Sequence, residues 1–169
     1  MCGVKKFTKL VVATAIYGVA LIAAVPSHAA SGEEIIKSRI YFMEEDMGGP
    51  WKVLAAFARN GKGTLAEVED NAIALAMLSK KIATHFPKDT GRGNYPEKMT
   101  RALPVIWTNQ DGFRKDIQRL ADGSEKLARL AKEGNKDAVV AMIGASGNYA
   151  RTQIGCAECH KTFRGEKAK

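Results

Sequence analysis

Apolar residues recur at intervals of three and four along most of this chain, the pattern of helices that each bury one face. Ser31 and Glu34 make a capping-box pair, in which each side chain accepts from the other residue's backbone N–H. A first helix is predicted from there, with Ile36, Ile40, Met43, Met47, Trp51, Leu54 and Ala58 along one face. The Gly48–Gly49–Pro50 triplet interrupts it. Pro50 has no N–H and its ring crowds the preceding turn, so a kink or short break is expected. The NGKG turn at 60–63 ends this helix, and Thr64 with Glu67 opens a second. Its stripe is Leu65, Val68, Leu75, Leu78 and Ile82, and Pro87 stops it.

A polar, glycine-rich connection fills 87–104 and reads as an irregular loop. A third helix is predicted from about Trp107 to Ala131, with Phe113, Ile117, Leu120, Leu127 and Leu130 inward. Gly134 is the expected C-cap, and Lys132 suits the negative end of the helix dipole. Asn135 caps a fourth helix whose stripe includes Val139, Met142, Tyr149, Cys156 and Phe163. Gly144, Ser146 and Gly147 weaken it locally, by about 1 kcal/mol per glycine relative to alanine. Trp51, Trp107 and Phe113 are expected core aromatics, and His85 is expected to complement the dipole at the end of the second helix. Strand-like alternation is nearly absent, and there is neither an internal repeat nor a low-complexity tract. Single helices of this length are marginal in water and must bury their stripes against one another. The predicted fold class is therefore all-α, an antiparallel four-helix bundle over 30–169.

The first residues follow another rule. Lys5, Lys6 and Lys9 precede the apolar run Leu10–Val25 and then PSHAAS, the order of a secretory signal peptide. The run has 16 residues, short of the roughly 20 that span a bilayer. Cleavage is expected after Ala29, with Ser27 and Ala29 as the small residues at the cut. Cys2 would leave with the leader. Losing 29 of 169 residues leaves 140, and the formal charge falls from +8 to +5 with the three lysines. The remaining cations are scattered along the sequence rather than clustered as nucleic-acid binding requires. An exported protein with no stable membrane insertion after cleavage and no nucleic-acid partner is expected, in the periplasm.

Export sharpens the reading of GCAECHK at 155–161. Positions three and four apart share a helical face, so Cys156, Cys159 and His160 project together. Two thiols and an imidazole can attach and ligate a haem, close a redox disulfide, or supply part of a zinc site. A thioredoxin-like disulfide wants a βαβ setting, and none is visible. A structural zinc needs a fourth ligand, and His85 is the other mature histidine. A plain structural disulfide gives His160 no reason to follow directly. Both mature cysteines fall within the one motif, which favours haem attachment.

CAECHKTFRGEK near the C-terminus, Arg39 and Met43 in the first helix, ALPVIW at 102–107, and Phe163–Arg164 after the histidine together resemble the cytochrome c-prime family, the class II c-type cytochromes. The resemblance spans the predicted mature chain. It implies a four-helix bundle with one covalently bound haem c, attached through Cys156 and Cys159, with His160 as proximal iron ligand. It further implies a haem environment including Arg39, Arg164, Phe163 and Trp107, and Met43 at the distal position, as an iron ligand or as part of the pocket, with Met47 as runner-up. Methionine ligation implies a low-spin electron carrier working with redox partner proteins. An open distal face implies a protein that binds nitric oxide or carbon monoxide. A haem-free dithiol protein is a third reading, and the family's homodimers make a dimer an expectation. No nucleophile–base or acid–base constellation is visible, so an enzyme is not expected.

Overall fold

The N–H of Ser31 donates to the Glu34 carboxylate at 2.7 Å and the N–H of Glu34 donates to Ser31 Oγ at 3.3 Å. Helix α1, Gly32–Tyr41, starts on this pair. The computed structural model describes residues 30–148 and 152–169, so the predicted leader, Cys2 and Tyr149 lie outside the described residues. Helix α2 spans Gly48–Asn60, and a π turn over Phe42–Asp46 joins it to α1.

The expected break at Gly48–Pro50 is not where the irregularity lies. It comes one turn earlier, in the π turn, where the Met47 N–H reaches back five residues to the Phe42 carbonyl at 2.9 Å. One extra residue in that turn restarts the hydrogen-bond ladder. Pro50 then falls in the first turn of α2, where a missing N–H costs little. The expected stripe stays inward across this join: Ile36 and Leu54 are buried, and Ile40, Met43, Met47 and Trp51 line an internal cavity. Phe42, outside the expected stripe, is buried as well.

Helix α3, Leu65–Ser79, opens on the Thr64–Glu67 capping box and is followed by a 3-10 turn over Ile82–His85. The single third helix expected from Trp107 is two. Helix α4 covers Val105–Thr108 and α5 covers Gln110–Lys132. Asn109 leaves helical geometry between them and its side chain accepts the Gly112 N–H at 3.1 Å, so an asparagine N-cap outweighs the continuous apolar stripe. The fourth helix is also divided, into α6, Lys136–Ile143, and α7, Cys156–Phe163. The glycine-bearing segment expected only to weaken it ends α6 outright. The C-cap of α5 is Glu133, one residue before the expected Gly134, which follows it with φ +76.

These elements form an all-α four-helix bundle, with α1–α2 as the first arm, α3 the second, α5 the third and α6–α7 the fourth. Helices α3 and α5 make the most extensive pairing, α2 packs on α3, and α7 packs on α5. Among the described residues there is no strand; Ala102 makes one isolated bridge with Arg164.

Candidate functional site

Two glycines, Gly155 and Gly123, set where α7 begins. Gly155, its N-cap, has φ +104, a left-handed conformation that glycine adopts freely. A Cβ on Gly155 would lie 3.0 Å from the Leu120 nitrogen, and one on Gly123 would lie 2.7 Å from the Ile154 carbonyl oxygen. The backbone of 154–155 thus lies directly on α5. Thr152 Oγ1 and the Gln153 N–H both donate to the Met142 carbonyl, at 3.1 and 2.9 Å, tying the same segment to the end of α6. After α7 the chain is held again. The Leu103 N–H donates to the Phe163 carbonyl at 3.1 Å and the Gly165 N–H to the Arg101 carbonyl at 2.7 Å.

Held at both ends, α7 forms one wall of a cavity of about 780 Å³, to which it contributes Cys156, Cys159, His160 and Phe163. Met43, Met47 and Trp51 of the first arm line it, with Ile106, Phe113 and Leu120 from α4 and α5. The lining is mostly apolar. Phe163 meets Phe113 edge-on at 5.1 Å and Phe113 meets Phe86 at 5.2 Å.

Burial pushes both thiols up to about 12, assisted by Glu158 at Cys156 and by Asp116 at Cys159, so both are protonated at neutral pH. No disulfide joins them. Burial, then the nearby charges of Arg164 and Arg101, hold His160 down to about 4. The imidazole is therefore neutral and keeps a lone pair for a metal. The Arg164 guanidinium lies against it, with Nη1 at 3.3 and 3.4 Å from the two ring nitrogens.

Arg39 also lines the cavity, yet is buried among neutral acceptors. Its guanidinium donates to Thr90 Oγ1 at 3.0 Å, the Thr90 carbonyl at 2.8 Å and Thr100 Oγ1 at 2.8 Å, and sits 4.7 Å from the centre of the Phe86 ring. Burial lowers its pKa to about 10, leaving it charged at neutral pH. It pins the 87–104 loop to α1.

The predicted set is thus largely gathered in one place: Cys156, Cys159, His160, Met43, Met47, Arg39, Arg164 and Phe163 all face the cavity. Trp107 does not. Its indole N–H donates to the Phe86 carbonyl at 3.1 Å and its ring covers Gly91, so it serves the loop. His85 stacks on Phe42 at 3.9 Å instead of simply ending a helix. Sequence reasoning missed Asp116, a cavity-lining carboxylate paired with Arg119 at 2.6 Å. The available signal was a charged residue between Phe113 and Leu120 on an apolar stripe. Among the described residues, no three His, Cys, Asp or Glu gather as a metal site.

The family model for cytochrome c′ matches residues 34–164. A cytochrome c′ from Pararhodospirillum photometricum is 28% identical over 117 residues, covering 69% of this chain and 86% of that protein. Two solved structures share the fold. One, a cytochrome c′ described as having ligand-controlled dimer dissociation, superposes with a TM-score of 0.63 at 24% identity, covering 82% of this chain and 99% of that one. The other, a variant of cytochrome c′ from Alcaligenes xylosoxidans in complex with nitric oxide, has a TM-score of 0.61 at 24% identity, with the same coverage.

Proposed function

The chain belongs to the cytochrome c′ family and binds haem c covalently, and on that premise we propose that it is a periplasmic one-electron carrier. Cys156 and Cys159 would hold the haem, and His160 would ligate its iron. The residues present fit such a group on chemical grounds. Two protonated thiols, a neutral imidazole and an apolar volume of about 780 Å³ occur together. Arg39 adds a buried cation at the same cavity, with neutral hydrogen-bond acceptors.

When bound, haem iron supplies a ferric–ferrous couple. The chain's part is to ligate, enclose and bias that couple. His160 presents an unprotonated nitrogen. Arg164 and Arg101, close enough to depress its protonation, favour the less positive ferrous state by the same Coulombic argument. The apolar walls exclude water and so limit reorganisation around the metal. This reading assigns no catalytic residue.

The observation that carries the electron-carrier reading is the pair of thioether side chains, Met43 and Met47, that line the same cavity as Cys156, Cys159 and His160. We assign Met43 as the second side chain that would ligate the iron. It lines the cavity from within the π turn and is only half-buried, whereas Met47 is 8% exposed and belongs to the core. The experiment is an optical titration of the reduced protein with carbon monoxide. An unchanged low-spin spectrum is expected, and Met43→Ala should become carbon monoxide-reactive.

A second reading, binding of a neutral diatomic gas at an open distal face, is favoured by the nitric oxide complex of the Alcaligenes protein with the same fold. A prompt spectral change of the unaltered protein on adding carbon monoxide would replace the first reading with this one. Residues 1–29 are proposed as the export signal. A second copy of the chain is a proposed partner, for which the exposed Tyr41, Ile73 and Met77 offer apolar surface.

A further inference from the structure

The charge of residues 30–169 is not spread evenly. Two segments, 87–104 and 160–169, carry eight Lys and Arg against three Asp and Glu, while the rest of 30–169 is balanced. The sequence separates them by more than fifty residues, so the charges look scattered along the chain. The fold joins them: Ala102 bridges to Arg164, Arg101 Nε donates to the Gly165 carbonyl at 2.7 Å, and Arg92 Nη2 donates to the Glu166 carbonyl. The two segments thus meet at the mouth of the cavity, where Lys98, Arg101, Arg164 and Lys167 are among the lining residues, together with the carboxylates of Glu44, Glu97 and Asp116.

Little of this charge is neutralised locally. Arg101 spends its Nε on a backbone carbonyl and Arg92 its Nε on the Thr100 carbonyl at 3.2 Å. Glu97 approaches Arg92 at 3.7 Å, but Lys98, Arg101 and Lys167 have no carboxylate partner among the described residues. Carbonyls and hydroxyls satisfy hydrogen bonds without cancelling a field. The excess of the two segments, eight cations against three anions, is larger than the charge of two ionised haem propionates. A charged rim around a low-dielectric cavity focuses its field and steers oppositely charged molecules to the opening.

Resting on the electron-carrier reading, we propose that the 87–104 and 160–169 segments form a docking face for an acidic protein, which exchanges electrons through the cavity mouth. A protein is favoured over an anionic bilayer because the exposed large apolar side chains outside the cavity, Tyr41, Ile73 and Met77, belong to α1 and α3 and not to either segment, while Ile40 lines the cavity itself. A membrane-binding face would use such side chains to insert.

The test uses the haem-bearing protein and two oxidants of opposite charge, ferricyanide and tris(phenanthroline)cobalt(III), in stopped flow. From about 10 to about 300 mM ionic strength the ferricyanide rate constant is expected to fall roughly tenfold, as screening removes the attraction. In Lys98→Glu with Lys161→Glu, the ferricyanide reaction at low salt should slow several-fold and the cobalt reaction should speed up. A salt-independent ferricyanide rate, or a variant that slows both reagents, overturns the proposal. Titration with a glutamate oligomer of about ten residues should shift NMR resonances within the two segments. No shifts there, with salt-sensitive binding to phosphatidylglycerol vesicles instead, would reassign the face to a membrane and overturn it too. A ferrous haem that neither oxidant touches defeats the electron-carrier reading instead, and the glutamate titration still reports on the face.

Discussion

Helix α5 belongs to two different environments, and the contrast explains how the bundle is built. Its C-terminal half, with Ala121, Ser124, Leu127, Ala128 and Ala131 buried, packs on α3, whose inward side is Val68, Ala72, Leu75, Ala76 and Ser79. Small side chains let the two helices close on each other without a gap. Its N-terminal half carries Phe113, Asp116, Ile117 and Leu120, and these face the cavity beside α7. One amphipathic stripe thus makes a dry seam at one end and a hollow at the other. The seam is complete as protein. The hollow is completed only by the cofactor that fills it, so its order is linked to cofactor binding.

Removing both thiols is the strongest way to break that contrast. Cys156→Ser with Cys159→Ser should give material with the mass of the bare polypeptide. Hydrogen exchange in α7 and the 87–104 loop should accelerate by about 100-fold or more, while amides at 121–132 retain most of their protection. Equal loss of protection along all of α5 would show that the two halves are one cooperative unit and that the contrast has no energetic meaning.

A smaller change tests the join between the two regions. Gly123 sits where α5 passes from seam to cavity, and a Cβ there would meet the Ile154 carbonyl oxygen at 2.7 Å and the Ile154 Cα at 2.8 Å. These are backbone atoms one residue from the N-cap of α7, and they cannot turn aside as a side chain would. Gly123→Ala is expected to lose about 1–3 kcal/mol in urea unfolding of the haem-bearing protein despite alanine's better helix propensity. An unchanged midpoint would mean that 154–155 yields easily and that α7 is not positioned by α5.

What could be read from the sequence divides along the same line. The caps at Ser31, Thr64 and Asn135 were legible because a cap is a local hydrogen bond between residues three apart. The face shared by Cys156, Cys159 and His160 followed from helical geometry alone. The break at Asn109 was missed because the apolar stripe continues across it, and only the capping asparagine reveals the new start. At Pro50 the obstacle was identified correctly but its resolution was not. An inserted residue upstream relieves a proline, and nothing local in the sequence says where that insertion goes. The Arg39 clamp and the gathering of charge at the mouth depend on contacts across tens of residues, beyond the reach of periodicity; Asp116 pairs only three residues on, with Arg119, and a lone carboxylate on an apolar stripe was the signal for it.

The seam itself offers the finest test, because it holds two fully buried serines with different hydrogen bonding. Ser79 Oγ donates to the Ala76 carbonyl at 2.8 Å, whereas Ser124 Oγ has no hydrogen-bond partner among the described residues. An unpaired buried hydroxyl keeps its desolvation cost, about 1–3 kcal/mol, with nothing in return. Ser124→Ala removes that cost along with one small atom and adds the better helix former. The expected result is a gain of about 1 kcal/mol in urea unfolding, while Ser79→Ala, which gives up a hydrogen bond, gains less or nothing. If Ser124→Ala destabilises instead, the hydroxyl has a partner in solution, and the seam is a polar contact rather than the dry counterpart of the cavity.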